Sequence, residues 1–318
     1  MSYTGPGFEP TPPRRGRRPL TVALAALVPG ALLGWLVYET TAADEGGPQR
    51  AAASSTPAAT PDAATRGASP APGDEAPGQD APAPSPSATS AAPSGPLAGK
   101  VVVIDPGHNA GNFRHTTEIN RKVDIGTTRK ECDTTGTSTN SGYTEATFTL
   151  DVAHRLRTLL QQQGATVKLT HDADRPYGPC IDERARIGNL AKADAVVSIH
   201  ADGSGTGNRG FHVILPKAVN SGAADTRPIV ASSRDLGERI AGNFVRATGS
   251  APSNYVGDGT GLVTREDLGG LNLSTVPKVF IECGNMRDSK DAALLTSGAW
   301  RQKAARGISE GIVSFLRG

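Results

Sequence analysis

From residue 99 onward the chain alternates short apolar runs with longer amphipathic stretches. Five runs, at residues 100–105, 166–170, 195–200, 210–215 and 278–282, are rich in Val and Ile, as expected of strands covered on both faces. Between them, residues 145–163 place Phe148, Val152, Leu156, Leu159 and Leu160 at helical spacing and stop at Gly164, which can take the positive φ that ends a helix. Further helices are predicted over 182–192, 230–248 and 298–316, the last with Trp300, Ala304, Ile308 and Ile312 four apart. This alternation predicts an α/β domain: a single, mostly parallel twisted sheet with helices on both faces. One stretch breaks the rhythm. Residues 109–144 are 36 positions rich in Thr, Asn and Gly with few large apolar side chains, and a segment of that length in a compact domain is usually functional.

The first 97 residues follow a different logic. Residues 20–38 contain no charged side chain, follow Arg14, Arg15, Arg17 and Arg18, and precede Glu39, Asp44 and Glu45. As a helix they would rise about 28 Å, nearly a bilayer core. The expectation is a basic cytoplasmic N-terminus over 1–19 and a transmembrane signal anchor over 20–38. Thr41-Ala42-Ala43 leaves open the alternative of a cleaved signal peptide. Residues 39–97 hold 11 of the 24 prolines and are otherwise mostly Ala, Ser, Thr and Gly, a composition expected to form a disordered linker. The remaining 221 residues, 98–318, are long enough for one sizeable domain. The expected location is the cell membrane with that domain extracytoplasmic, or secretion if the segment is cleaved.

Charge excludes one class of partner, since 33 Lys+Arg against 31 Asp+Glu leaves +2, too little for electrostatic binding of nucleic acid. All three cysteines, Cys132, Cys180 and Cys283, fall in the folded part, and export makes one disulfide plausible. Cys132 lies in the long polar segment and Cys180 in a Pro-Tyr-Gly-Pro-Cys loop, both expected near the same sheet edge. Cys283 continues a buried strand, so the expected pair is Cys132 with Cys180.

Candidate chemistry gathers at strand ends, the edge where open α/β sheets bind ligands. Val101-Val102-Val103-Ile104 runs into Asp105-Pro106-Gly107-His108; Val196-Val197-Ser198-Ile199 runs into His200-Ala201-Asp202; Val279-Phe280-Ile281 runs into Glu282-Cys283-Gly284. Glu145 follows Gly142-Tyr143-Thr144 at the start of a helix. Singly, a histidine at a strand end is commonly structural, and Glu145 could serve only the helix dipole. Glu282 is harder to set aside, because a carboxylate closing an apolar strand must be paired or ligated. His115, His154, His171 and His212 end no buried strand and read as surface or packing residues.

Taken in order, the D-P-G-H, G-Y-x-E, S-I-H-A-D and V-F-I-E-C-G segments resemble the zinc-dependent N-acetylmuramoyl-L-alanine amidases of the amidase_3 type, especially their actinobacterial members. The resemblance implies zinc ligands at His108, Glu145 and His200, a catalytic glutamate at Glu282, and peptidoglycan as partner. It also implies the bond cut, the amide between the muramic acid lactyl group and the L-alanine of the stem peptide. Where the family commonly carries R-x-S-D, this chain has Arg186-Ile187-Gly188-Asn189, in a helix expected only to support the sheet.

The residue types suit that chemistry independently. Two imidazoles and a carboxylate leave tetrahedral zinc one open position, as catalytic sites require. Zinc brings the pKa of bound water to about 7, and Glu282 could move its proton. There are two rivals: another zinc hydrolase of the wall, such as a peptidase, which would use the same ligands, and a non-catalytic peptidoglycan-binding regulator, which need not retain all four site residues as this chain does. The chain is expected to act as a monomer; no residue announces a substrate-binding role, and no protein activator is indicated. Because residues 109–144 join the first two proposed ligands, they are expected to border the substrate groove. Their Arg114, Arg121, Lys122, Arg129 and Lys130 could there meet stem-peptide carboxylates.

Overall fold

A computed structural model describes residues 94–318. Its strands are β1 (Val101–Pro106), β2 (Lys122–Asp124), β3 (Arg129–Glu131), β4 (Thr166–Leu169), β5 (Ala195–Asp202), β6 (His212–Pro216), β7 (Asn220–Ser221), β8 (Ala224–Asp225), β9 (Leu262–Arg265) and β10 (Lys278–Asn285). The helices are α1 (Thr116–Ile119), α2 (Glu145–Gln162), α3 (Ile181–Leu190), α4 (Val230–Thr248), α5 (Gly269–Asn272), α6 (Ser289–Leu295) and α7 (Gly298–Leu316).

Six strands form the main sheet in the order β4-β1-β5-β10-β6-β9. The sheet is mixed but mostly parallel: β4, β1, β5 and β10 run together, β6 opposes β10, and β9 follows β6. Chain length explains the reversal. Only residues 203–211 separate β5 from β6, and a parallel return needs a crossover of a dozen or more residues. Strand β9, which the apolar pattern did not reveal, is a short edge strand with exposed Thr264 and Arg265.

The alternation of side chains along the strands makes the two faces unlike. Val102, Ile104, Val197, Ile199, Val279 and Ile281 meet α2, α4 and α7 in the main apolar core, with Phe148, Leu156, Phe244, Trp300 and Ile308. The opposite face begins with Val103 and Val196 packed against α3 through Ile187. Toward the strand ends it turns polar, and in-register pairing lines up Phe280 with Ser198 and Glu282 with His200. Helix entry is fixed by side chains at three points: Thr144 caps α2, Asp288 caps α6 and Ser297 caps α7. Gly249 ends α4 in the left-handed conformation.

Residues 109–144 are not a bare loop. They contain α1 and the antiparallel hairpin β2–β3, whose charged residues, with Val123 alone apolar, hid it from an apolar scan. Val123 and Ile125 pin the hairpin to a small core formed with Cys132, Cys180 and Ile181.

The expectation of a membrane anchor is corrected. No helix among the described residues is long and apolar enough to cross a membrane, so membrane attachment and the location inferred from it are not carried forward. Residues 20–38 and the expected linker over 39–97 lie outside the described residues.

Candidate active site

The Pro106-Gly107 turn at the end of β1 delivers His108 in a left-handed conformation, φ 61°. Gly107 is required there by space: a Cβ would stand 2.4 Å from His200 Cε1. The His108 ring faces Glu145, Nε2 to Oε2 3.2 Å. Its other nitrogen, Nδ1, lies 3.1 Å from the Thr134 carbonyl and 3.4 Å from Asp133 Oδ1. A carbonyl only accepts, so Nδ1 keeps its proton, and Nε2, facing Glu145, is the nitrogen that could ligate a metal once the metal displaces its proton.

Glu145 is the first residue of α2, where the helix N-terminus favours a carboxylate. Its Oε2 accepts from the Thr137 amide at 2.9 Å, and its Oε1 accepts from the Ala201 amide at 3.2 Å. Oε1 is also 2.9 Å from Nδ1 of His200, near the end of β5. Gly136 closes over this carboxylate with φ +72°, and a Cβ there would lie 2.8 Å from Glu145 Oε2. One candidate ligand atom from each of His108, Glu145 and His200 lies within 4.8 Å of the others.

Electrostatics point the same way. Burial disfavours a charged His108, yet the Glu145 and Asp133 carboxylates outweigh it and raise the imidazole to about 10. Burial likewise opposes ionisation of Glu145, but His108 and His200 hold it well below the usual carboxylate range. Two imidazoles and one carboxylate form the donor set of a catalytic zinc site, so these residues fit the metal.

Glu282, on β10, opens into the same cleft, a cavity of about 280 Å³ also lined by Asp202, Arg265 and Phe280. Among the described residues, its Oε2 atom is buried without a hydrogen-bond partner. Burial pushes its pKa well up, and the nearby Glu145 and Asp202 charges push in the same direction. His212 pairs opposite Glu282 from β6, but burial lowers that imidazole to about 4, so it brings no positive charge at neutral pH. Phe280 stacks on the His200 ring, centroids 5.1 Å apart.

A layer beneath the site escaped the sequence reading. Arg184, on α3, is buried with all five N–H groups engaged: Nε by Pro179 O, Nη1 by Asp105 Oδ1 and Pro106 O, Nη2 by His108 O and Asp133 Oδ2. Asp105 also accepts from Thr170, Ser198 and the fully buried Lys278. Burial opposes the Asp105 charge, yet Lys278 and Arg184 outweigh it and hold the carboxyl far below its usual range. This layer fixes the backbone of His108 and, through Asp133, its ring. The signal available in sequence was one arginine in a helix otherwise read as support. It is Arg184 that reaches the site; Arg186, in the segment set against R-x-S-D, is largely exposed.

Cys132 and Cys180 are joined by a disulfide that ties the segment before Asp133 to the start of α3. Cys283 is free and buried, on the apolar face of β10 opposite Glu282. Of the histidines read as packing residues, His171 and His212 are buried, His171 beside the Pro106 carbonyl at 3.1 Å.

Comparison with known proteins gives concordant results. The Amidase_3 family model, described as N-acetylmuramoyl-L-alanine amidase, matches residues 102–314. An N-acetylmuramoyl-L-alanine amidase of Mycobacterium tuberculosis is 42% identical over 231 residues, covering 72% of this chain and 91% of that protein. Among solved structures, the amidase Ami1 of Mycobacterium smegmatis aligns with a TM-score of 0.63 at 38% identity, covering 70% of this chain and 99% of that one. The apo form of Ami1 from Mycobacterium abscessus aligns with a TM-score of 0.62 at 41% identity, covering 69% of this chain and 100% of that one.

Proposed function

We propose, for a chain that belongs to the Amidase_3 family of N-acetylmuramoyl-L-alanine amidases, that His108, Glu145 and His200 hold the metal and Glu282 moves the protons. The protein is a zinc-dependent amidase that hydrolyses the bond between the lactyl group of N-acetylmuramic acid and the L-alanine of the peptidoglycan stem peptide. The catalytic unit we assign is residues 98–318, an assignment supported by the family match over 102–314 and by the single main sheet.

When bound, zinc supplies Lewis acidity that polarises the scissile carbonyl and acidifies water. The protein's own groups do the rest. Thr134 O and Asp133 hold the His108 Nδ1 proton outward, keeping Nε2 free to ligate. Amides of Thr137 and Ala201 orient Glu145 between the two imidazoles. Glu282 takes the proton of the attacking water and returns it to the departing amine of L-alanine. A carboxylate with a raised pKa suits both halves of that exchange. The observation that carries this reading is the convergence of the His108–Glu145–His200 cluster and the unpartnered Glu282 oxygen on one cleft.

Mass spectrometry of wall fragments digested by the purified protein tests it. The expected products are lactyl-terminated glycan and free L-alanyl peptides, absent when a chelator is present. Metal analysis of a His108→Ala, His200→Ala double variant should find the zinc lost. Cleavage within the peptide would point instead to a peptidase, and stoichiometric zinc in the double variant would move the metal elsewhere.

A further inference from the structure

The cleft above Glu282 does not end at the proposed metal site. It adjoins a second cavity of about 240 Å³ beneath the β2–β3 hairpin, and Arg265 borders both. The Arg265 guanidinium is held in a fork: Nε and Nη2 donate to the two carboxylate oxygens of Asp267 at 2.8 and 2.7 Å. Its third nitrogen, Nη1, donates to no protein group among the described residues. Across the cavity Lys130, on the hairpin, reaches the same Asp267 at 3.7 Å. Two cations therefore share the Asp267 carboxylate, and Arg265 also borders the cleft lined by Asp202 and Glu282.

The other basic groups nearby are engaged elsewhere. Arg184 has no free N–H, and Lys278 is buried against Asp105. On the hairpin, Lys122 pairs with Glu131 and Arg129 donates to the Lys122 carbonyl. Of the five basic residues in the 109–144 segment, Lys130 is the one that lines the cavity. A guanidinium pre-oriented by one carboxylate, with free N–H groups facing a groove, is a receptor for a second carboxylate.

We propose that Arg265, assisted by Lys130, determines specificity by binding a carboxylate of the stem peptide on the leaving-group side of the scissile amide. This deepens the amidase reading and rests on it. Arg265 then acts on the acidic substrate chiefly through affinity, because a contact made equally in the bound and transition states changes KM and not kcat; its charge also lies near Glu282, an influence common to all substrates.

Two synthetic muropeptides provide the test, identical except that the α-carboxyl of the residue after L-alanine is free in one and a carboxamide in the other. With the full-length, zinc-loaded protein, Arg265→Ala should raise KM for the acidic muropeptide about tenfold to a hundredfold, the loss expected for charge-assisted hydrogen bonds. Any change in kcat, through the loss of a charge near Glu282, should be the same on both substrates, and KM for the carboxamide should hardly change. Arg265→Lys should recover part of the loss. Lys130→Gln, on the exposed hairpin, should give about a threefold rise on the acidic substrate alone. Calorimetric binding of both muropeptides to the metal-free protein should rank the variants in the same order, which separates the subsite from turnover. An equal rise in KM on both substrates, a fall in kcat confined to the acidic one, or no change in KM would overturn the proposal. A wild-type protein that binds the acidic muropeptide through Arg265 yet cuts neither substrate would overturn the amidase reading and leave the subsite standing.

Discussion

Asp105 and Glu282 are two carboxylates on the same polar face of one sheet, and the protein treats them in opposite ways. Asp105 is buried and accepts from Thr170, Arg184, Ser198 and Lys278, so it stays ionised despite the loss of water. Glu282 keeps an oxygen shut away without a partner, beside the like charges of Glu145 and Asp202, and its proton affinity rises. Burial opposes charge in both cases; the partners decide the outcome. The saturated carboxylate anchors the site, and the one left short of partners is available for chemistry.

The largest expected effect breaks the pair at Glu282. Glu282→Gln should lower kcat by about 10² to 10⁴ while zinc content is unchanged, the usual consequence of losing a general base. Because the native carboxylate lacks a buried partner, thermal melting of the variant should show no loss of stability. Activity within twofold of the parent, or a clear drop in melting temperature, would mean that Glu282 is a structural residue like Asp105.

Removing Asp105 should do the reverse. Asp105→Ala leaves Arg184 and Lys278 as buried charges short of an anion, and breaking such a network costs about 3–5 kcal/mol. Chemical denaturation should read that loss directly. The pH dependence has a definite sign: the native pKa of Asp105 lies below that of the unfolded chain, so its ionised form stabilises the fold above about pH 4. That contribution declines as pH falls below the unfolded value and vanishes once the pH passes the native one. The stability gap between wild type and Asp105→Asn should therefore narrow on acidification below about pH 4. A gap independent of pH would assign the loss to packing.

A smaller effect sharpens the comparison. The Cys132–Cys180 disulfide lies on the Asp105 side of the site, joining the chain next to Asp133 to the helix that carries Arg184. Replacing both cysteines by serine should cost about 2–4 kcal/mol in denaturant unfolding. Turnover at a temperature where the variant remains folded should change by less than about threefold, since no bond to Glu282 passes through the bridge. A loss of turnover matching the Glu282 variant would show that the anchoring layer and the chemical layer are one unit.

The chemistry was easier to read in the sequence than its support. His108, Glu145, His200 and Glu282 each sit at a strand end or helix start, where a break in the apolar pattern marks them out. Arg184 and Lys278 carry no such mark. In sequence, one is a charge in an amphipathic helix and the other precedes a Val-Phe-Ile run; their burial depends on Asp105, 79 and 173 residues away. Arg265 was hidden for a related reason, because the edge strand that carries it is too short and polar to show an apolar pattern.

What the sequence determined by itself was local: period-2 and period-3.6 patterns that make strands and helices, and turn chemistry that ends a buried strand at an imidazole or a carboxylate. From these came the α/β class, the sheet edge that carries the site and the residues gathered there. Tertiary structure alone decided the rest. The nine residues 203–211 are too few for a parallel return, so β6 reverses and brings His212 opposite Glu282. Packing of α3 under β1 then closes Arg184 onto Asp105 and Asp133, while Glu282 is left without such a partner. The physical reason is that side-chain charge belongs to the residue, whereas its proton affinity and availability depend on neighbours brought together by the fold.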